Sequence, residues 1–367
     1  MLNINPDNKK LILSIDGGGM RGTITIAMLA ELEKLTGKTC PELFDMVAGT
    51  STGAIIAAGF GLGLSAQEIL EKVYKHGLPE GFRAQPQGLL LWLRYLLGGL
   101  RAVYNFQPFL DVLGPLAAGK TIGDLQNPIV FMTTRDLRTN NTYYVVSRGR
   151  GGARFADWPV TGAVAASGAA PIYFPPVLGN LVDGGVGTSG NPVLAATVEA
   201  MEFIGSEAGF IPGQVIHFSL GTGYRANTFA GGAGSRFWLY DWVVYIISGF
   251  LDDTALQQVF GTRAVYRGRV DVRRYNPYLD PASLRDTLGI NLAGRPDPRK
   301  LELDSYSPAQ IELMEEIGRA YARRVAWDEP GYMPWVETPG DRHGQGRDGG
   351  HPLPGILPVD WRGSLYR

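Results

Sequence analysis

At 367 residues the chain is long enough for one large domain or two modest ones, and its size does not limit the core it can bury. Hydrophobic residues at 45% and charged residues at 19% exclude a disordered or membrane-spanning class. A formal net charge of −1 removes the basic excess that nucleic-acid binding needs, so any membrane affinity must come from apolar contact more than from attraction to anionic lipid.

The first segment, MLNINPDNKKLILSID, is polar and then briefly apolar, too short for a signal-peptide core. Nowhere do about eighteen uninterrupted apolar residues occur, so a transmembrane helix is not expected. The single cysteine, Cys40, cannot pair within the chain and reads as an ordinary helix-end residue in a reducing compartment. The expectation is a cytoplasmic protein.

Leu11 to Ile15 reads as a strand ending in the glycine loop Asp16-Gly17-Gly18-Gly19-Met20-Arg21-Gly22. The helix that follows carries Ile24, Met28, Leu32 and Leu35 on one stripe. Adjacent glycines at a helix N-terminus let backbone N–H groups approach an anion. Two anions fit. The spacing of Gly17, Gly19 and Gly22 suits a dinucleotide pyrophosphate, but that fold wants a carboxylate at the end of its second strand, where Glu33 and Asp45 are misplaced. The alternative, which we favour, is the oxyanion of an acyl-transfer intermediate.

Next comes LFDMVAGTSTGAIIAAGFGLG, Leu43 to Gly63: an apolar run, a Gly-Thr-Ser-Thr-Gly turn and a helix of small residues. A reversal this sharp crowds the backbone on both sides of Ser51, so only glycine fits at Gly49 and Gly53, and the hydroxyl is left at a helix N-terminus. By itself the pentapeptide is equally a glycine-bracketed turn.

Ser65 to Glu68 is a capping box opening a helix through Tyr74. Gln87 to Leu100 is leucine-rich and interrupted only by Arg94, which suits a core helix or a helix that meets lipid. Asn127 to Asp136 and Asn141 to Ser147 form a predicted hairpin. Asp157 through Ser167 reads as an alanine-rich helix halted by Pro171, Pro175 and Pro176. A short apolar run then delivers Asp183 to a glycine turn, where an aspartate capping its own backbone is the simplest role. A strand from Val215 to Leu220 holds His217 mid-strand as a core residue. Phe237 to Leu251 is dense in aromatic and branched residues, again core or lipid interface. Ser307 opens the last clear helix with Pro308 at its first position. From 328 to 367 the chain is rich in Pro and Gly, an extended or partly mobile tail after a domain spanning 1 to 327. His343 and His351 are too isolated for a metal site.

Together, DGGGMRG at Asp16 to Gly22, GTSTG at Gly49 to Gly53, SGAAPIYFPP at Ser167 to Pro176, DGG at Asp183 with Asn191-Pro192 after it, and SLGTG at Ser219 to Gly223 resemble the patatin-like phospholipase family over about the first two-thirds of the chain. The resemblance implies a three-layer α/β/α sandwich on a mostly parallel sheet, and hydrolysis of lipid acyl esters by a Ser-Asp dyad with no cofactor or metal. It implies Ser51 as nucleophile and Asp183 as proton acceptor. It further implies Gly17, Gly18 and Gly19 as the oxyanion hole, with Arg21 beside it. The substrate would be a phospholipid or other acyl lipid at a membrane surface, met through the stretches Gln87 to Leu100 and Phe237 to Leu251. Some members of that family are held inactive until a partner or small signalling molecule binds. Two rivals stand beside this reading: a Ser-Asp-His hydrolase built from Ser51, Asp183 and His217, and a nucleotide- or lipid-binding module without catalysis.

Overall fold

The computed structural model describes residues 1–83, 88–97, 102–149, 151–225, 236–238, 242 and 254–333. The chain divides into two units, Met1–Tyr332 and Met333–Arg367. All of the second except Met333 lies outside the described residues, as does most of the predicted tail with His343 and His351.

Among the described residues seven strands form one sheet: β1 (Lys10–Ile15), β2 (Met46–Gly49), β3 (Ile129–Asp136), β4 (Asn141–Val146), β5 (Leu181–Asp183), β6 (Val215–Leu220) and β7 (Asp271–Tyr275). Their order is β4-β3-β2-β1-β6-β7, parallel from β3 through β7 and antiparallel at the β3–β4 hairpin. β2 pairs with the first half of β3, Ile129 to Met132, and the short β5 pairs antiparallel with the second half, Thr134 to Asp136. The mostly parallel sheet explains why β1, β2 and β6 are buried on both faces: each face is covered.

Leu11, Leu13 and Ile15 of β1 lie beside Ile216, Phe218 and Leu220 of β6 and share a core with α1 (Gly22–Thr36), α2 (Thr52–Gly61) and, further along the chain, α3 (Gln107–Ala117) and α4 (Val160–Ser167). The opposite face carries His217, which hydrogen-bonds Thr197 of α5 (Val193–Val198). The last described helix, α6 (Pro308–Ala322), packs along α1. This is the expected α/β/α arrangement.

Two helices differ from their sequence reading, and a third stretch is decided between its two readings. The helix opened by Ser65 does not stop at Tyr74; Ala66–Ile69 continues through a π-helical stretch, Leu70–Gly77, into Leu78–Arg83. The alanine-rich helix starts only at Val160, because Pro159 occupies its N-cap in an extended conformation. Within Gln87 to Leu100 the described helix is Gly88–Leu97, and Leu89, Leu90, Leu93, Leu96 and Leu97 are all exposed, up to 86%. A leucine-rich helix is usually core; the described leucines of this one face outward. Gln87 and residues 98–100 lie outside the described residues, as does most of 237–251, though Trp238 and Trp242 are exposed.

Candidate active site

Ser51 sits between β2 and α2 with φ +56° and ψ −119°, a region that costs a residue with a Cβ on the order of 1–2 kcal/mol. The strain is held by close packing. A Cβ at Gly49 would come within 2.0 Å of the Gly53 carbonyl oxygen, and one at Gly53 within 2.4 Å of the Ile15 carbonyl oxygen, so both glycines are dictated by backbone approach. The Ser51 N–H donates to Ser167 Oγ at 2.9 Å, which ties the end of α4 to the turn.

β3 joins the two halves of the site. Thr133 Oγ1 lies 2.7 Å from Thr50 Oγ1, the residue before Ser51, and Thr134 sits opposite Asp183 in the β3–β5 register. The Thr134 hydroxyl bonds the carbonyls of Ala166 and Val182, and the Asp183 N–H donates to the Ala169 carbonyl. Asp183 Oδ1 accepts from the Gly185 N–H at 2.7 Å, so the residue does cap its own turn. The Ser51 hydroxyl lies near enough to the same carboxylate to hold its pKa down, so the aspartate that caps its own turn also faces the serine. Burial pushes its pKa up to about 6, opposed by the Gly185 amide and by Ser51.

The glycine loop is fixed from several sides. Gly17 donates its N–H to the Gly190 carbonyl at 2.9 Å, and its own carbonyl accepts from Thr222 Oγ1. Met20 donates to the Leu303 carbonyl at 2.7 Å, and Gly19, at φ +56°, lies so close that a Cβ would strike that same oxygen. Of the three expected donors, Gly17 is therefore already engaged, whereas the N–H groups of Gly18 and Gly19 take no hydrogen bond among the described residues. Arg21 is buried, donates to the Gly223 carbonyl, and lines a polar cavity of about 30 Å³ with Asp16, Gly17, Gly190 and Arg274. A different cavity, of about 90 Å³ and apolar, opens at Ser51 and Gly19 and is walled by Ile55, Phe82, Phe109 and Phe174.

Sequence reasoning missed four supports of this geometry: Asp16 with Arg274, and Thr133 with Thr134. Arg274 makes a two-pronged ion pair to Asp16, at 2.8 and 2.5 Å, and bonds Ser219 Oγ with the same guanidinium. Two adjacent hydroxyls inside an apolar strand were the visible signal for Thr133 and Thr134; nothing local announces Arg274.

The rivals fare less well. β2 ends in Gly49, where a dinucleotide site wants an acid for the ribose. His217 is fully buried, bonds Thr197 at 2.8 Å and does not line the Ser51 cavity; burial lowers its pKa to about 3. His217→Gln is expected to keep ester hydrolysis within about tenfold of wild type, whereas loss of a triad histidine costs about 10⁶ in kcat; steady-state kinetics on a soluble ester distinguishes the two. Cys40 is buried and its thiol is pushed well up by burial, an inert core residue. Among the described residues no group of three or more His, Cys, Asp or Glu side chains is placed to hold a metal, and no helix is long and apolar enough to cross a membrane.

Comparison with known proteins gives a consistent set. The sequence profile for Patatin-like phospholipase matches residues 13–197. Phospholipase A I of Arabidopsis thaliana is 48% identical over 65 residues, 18% of this chain and 5% of that protein. The cGAMP-activated phospholipase of Pseudomonas aeruginosa is 29% identical over 166 residues, 45% of this chain and 48% of its own. Patatin group J-1 of Solanum tuberosum is 24% identical over 361 residues, 87% of this chain and 85% of its own. The chain thus spans about half the length or less of the first two.

Proposed function

The chain belongs to the patatin-like phospholipase family, and on that premise we propose that it hydrolyses the acyl esters of membrane lipids, with Ser51 as nucleophile and Asp183 as proton acceptor. The observation that carries this reading is a buried carboxylate of raised pKa beside the Ser51 hydroxyl, at the mouth of an apolar cavity. Asp183 takes the proton as Ser51 Oγ bonds to the ester carbonyl carbon. The oxyanion that forms is held by the Gly18 and Gly19 amides and by the N-terminal end of α2. Collapse breaks the ester C–O bond, and the proton on Asp183 goes to the departing alcohol. Water then repeats the sequence on the acyl-enzyme and releases the fatty acid. A base with a pKa near 6 is largely ionised at neutral pH yet more basic than an ordinary aspartate, which suits it to a histidine's task. Arg21 acts through the loop it supports, not on the reacting atoms.

Because the ionised form is the active one, kcat/KM rises about tenfold per pH unit below about 6 and levels off above it. A profile flat across that range removes Asp183 as the base. The direct test is fatty-acid release from phospholipid vesicles, together with labelling by a fluorophosphonate ester. Label on any residue other than Ser51 overturns the assignment. The exposed leucines of Gly88–Leu97 are the proposed membrane-facing surface. Leu90→Glu combined with Leu97→Glu should lower vesicle co-sedimentation by at least about tenfold, since burying each leucine in lipid contributes roughly 1.5–3 kcal/mol. A small-molecule activator, as in the name of the bacterial relatives, is part of the proposal, so the vesicle assay is run with and without a cyclic dinucleotide.

A further inference from the structure

Behind the apolar cavity at Ser51 lies more apolar space. A second cavity, of about 30 Å³, abuts it, and the two share Ile55, Leu113 and Val164 as their common wall. Along α2 the lining residues run Ser51, Thr52, Ile55, Ala58, Gly59 and Leu62. That is one stripe of a helix, repeating every three or four residues, from the strained serine to the C-cap. Eleven residues of helix rise span about 16 Å. The partition between the two cavities is aliphatic, so its side chains can change rotamer without orphaning a polar group.

We propose that the two cavities form one slot for the substrate's acyl chain, and that the distal chamber, bounded by Ala58, Leu62, Leu116 and Ala117, sets the chain length that the enzyme accepts. The proposal rests on the hydrolase reading above for the position of the ester at Ser51. The carboxyl carbon sits beside the Gly18 and Gly19 amides, and the chain runs beside α2 towards its C-terminal end. A butyryl group ends within the first cavity. A lauroyl group reaches the second.

Hydrolysis of p-nitrophenyl butyrate, octanoate, laurate and palmitate tests this. The wild type is expected to favour laurate over butyrate. Ala58→Leu, which fills the distal chamber, should lower the laurate-to-butyrate ratio of kcat/KM at least about tenfold, because each methylene denied burial forfeits roughly fourfold. Leu116→Ala, which enlarges the chamber, should move the optimum towards palmitate and carries the test if the filled variant does not fold. Profiles that superimpose on the wild type in both variants overturn the slot while leaving the hydrolase intact. Binding is read separately, by laurate displacing the fluorescent fatty acid parinarate from the Ser51→Ala protein with and without Ala58→Leu. Laurate binding weakened by Ala58→Leu, together with a wild type that cleaves none of the four esters, would keep the slot and remove the hydrolase; binding indifferent to Ala58→Leu counts against the slot.

Discussion

Asp183→Asn is expected to lower kcat for ester hydrolysis by at least about 10³, near the upper end of what a positioned proton acceptor contributes, while making the folded protein more stable at neutral pH. The two effects have one cause. Asp183 is buried, and burial raises its carboxyl to a pKa of about 6 from an unfolded-state value of about 3.9. A carboxyl whose pKa is raised on folding contributes stability that is fully present below about pH 4 and is lost as pH rises through about 6; above that the ionised group opposes folding by on the order of 2–3 kcal/mol. Asparagine still presents an oxygen to the Gly185 N–H but carries no charge to desolvate, so the penalty disappears with the activity. Thermal unfolding of both proteins at about pH 4 and about pH 8 checks this. The gap in melting temperature should open only at the higher pH. Equal gaps at both would mean that the carboxylate is not the source of the strain.

Arg274→Met should be the second severe change. Its guanidinium is the partner of buried Asp16, the residue from which the glycine loop departs, and it also holds Ser219 on β6. Removing it leaves the buried carboxylate without its hydrogen-bonded partner and with only the charge of Arg21 beside it, at a cost of up to about 3–5 kcal/mol. The loop amides then lose their fixed aim, and kcat should fall by about 10² or more with KM within a few-fold, the signature of an interaction made in the transition state. Arg274→Lys keeps the charge but not the two-pronged geometry and should fall between. The double variant Asp16→Asn with Arg274→Met separates positioning from stability. With both charges gone, most of the stability should return, but kcat should not. Activity recovering in step with melting temperature would reduce Arg274 to a structural residue.

Those two residues also show how far the sequence could be read. Ser51 and Asp183 each sit at the end of an apolar run, in a turn whose glycines are needed for local steric reasons, and local causes leave local marks. The contact across the sheet that unites them is made by β3, whose Thr133 and Thr134 are visible as misfits in an apolar strand although their partners are not. Arg274 lies 258 positions from Asp16, on a strand that carries no turn motif, and a pairing over that separation has no spacing to betray it. The glycine loop was readable as a cradle, but not that Gly17 spends its amide on Gly190, because the acceptor belongs to a distant loop. Composition left Gly88–Leu97 open between core and surface, and the structure exposes its described leucines. Leucines report a preference for apolar surroundings, and only the arrangement of other elements decides whether protein or something else supplies them.

Leu303 supplies a last consequence. Its carbonyl receives the Met20 amide and closes over Gly19, on a segment more than a hundred residues past the end of the 13–197 match. Trimming the gene to the matched region would therefore keep the glycine loop and the turns at Ser51 and Asp183, lose SLGTG at Ser219 to Gly223 together with Leu303, and is expected to yield an inert polypeptide. An expression fragment needs to extend to Tyr332, whose backbone oxygen accepts the Arg274 N–H, before any measurement on it speaks for the intact protein.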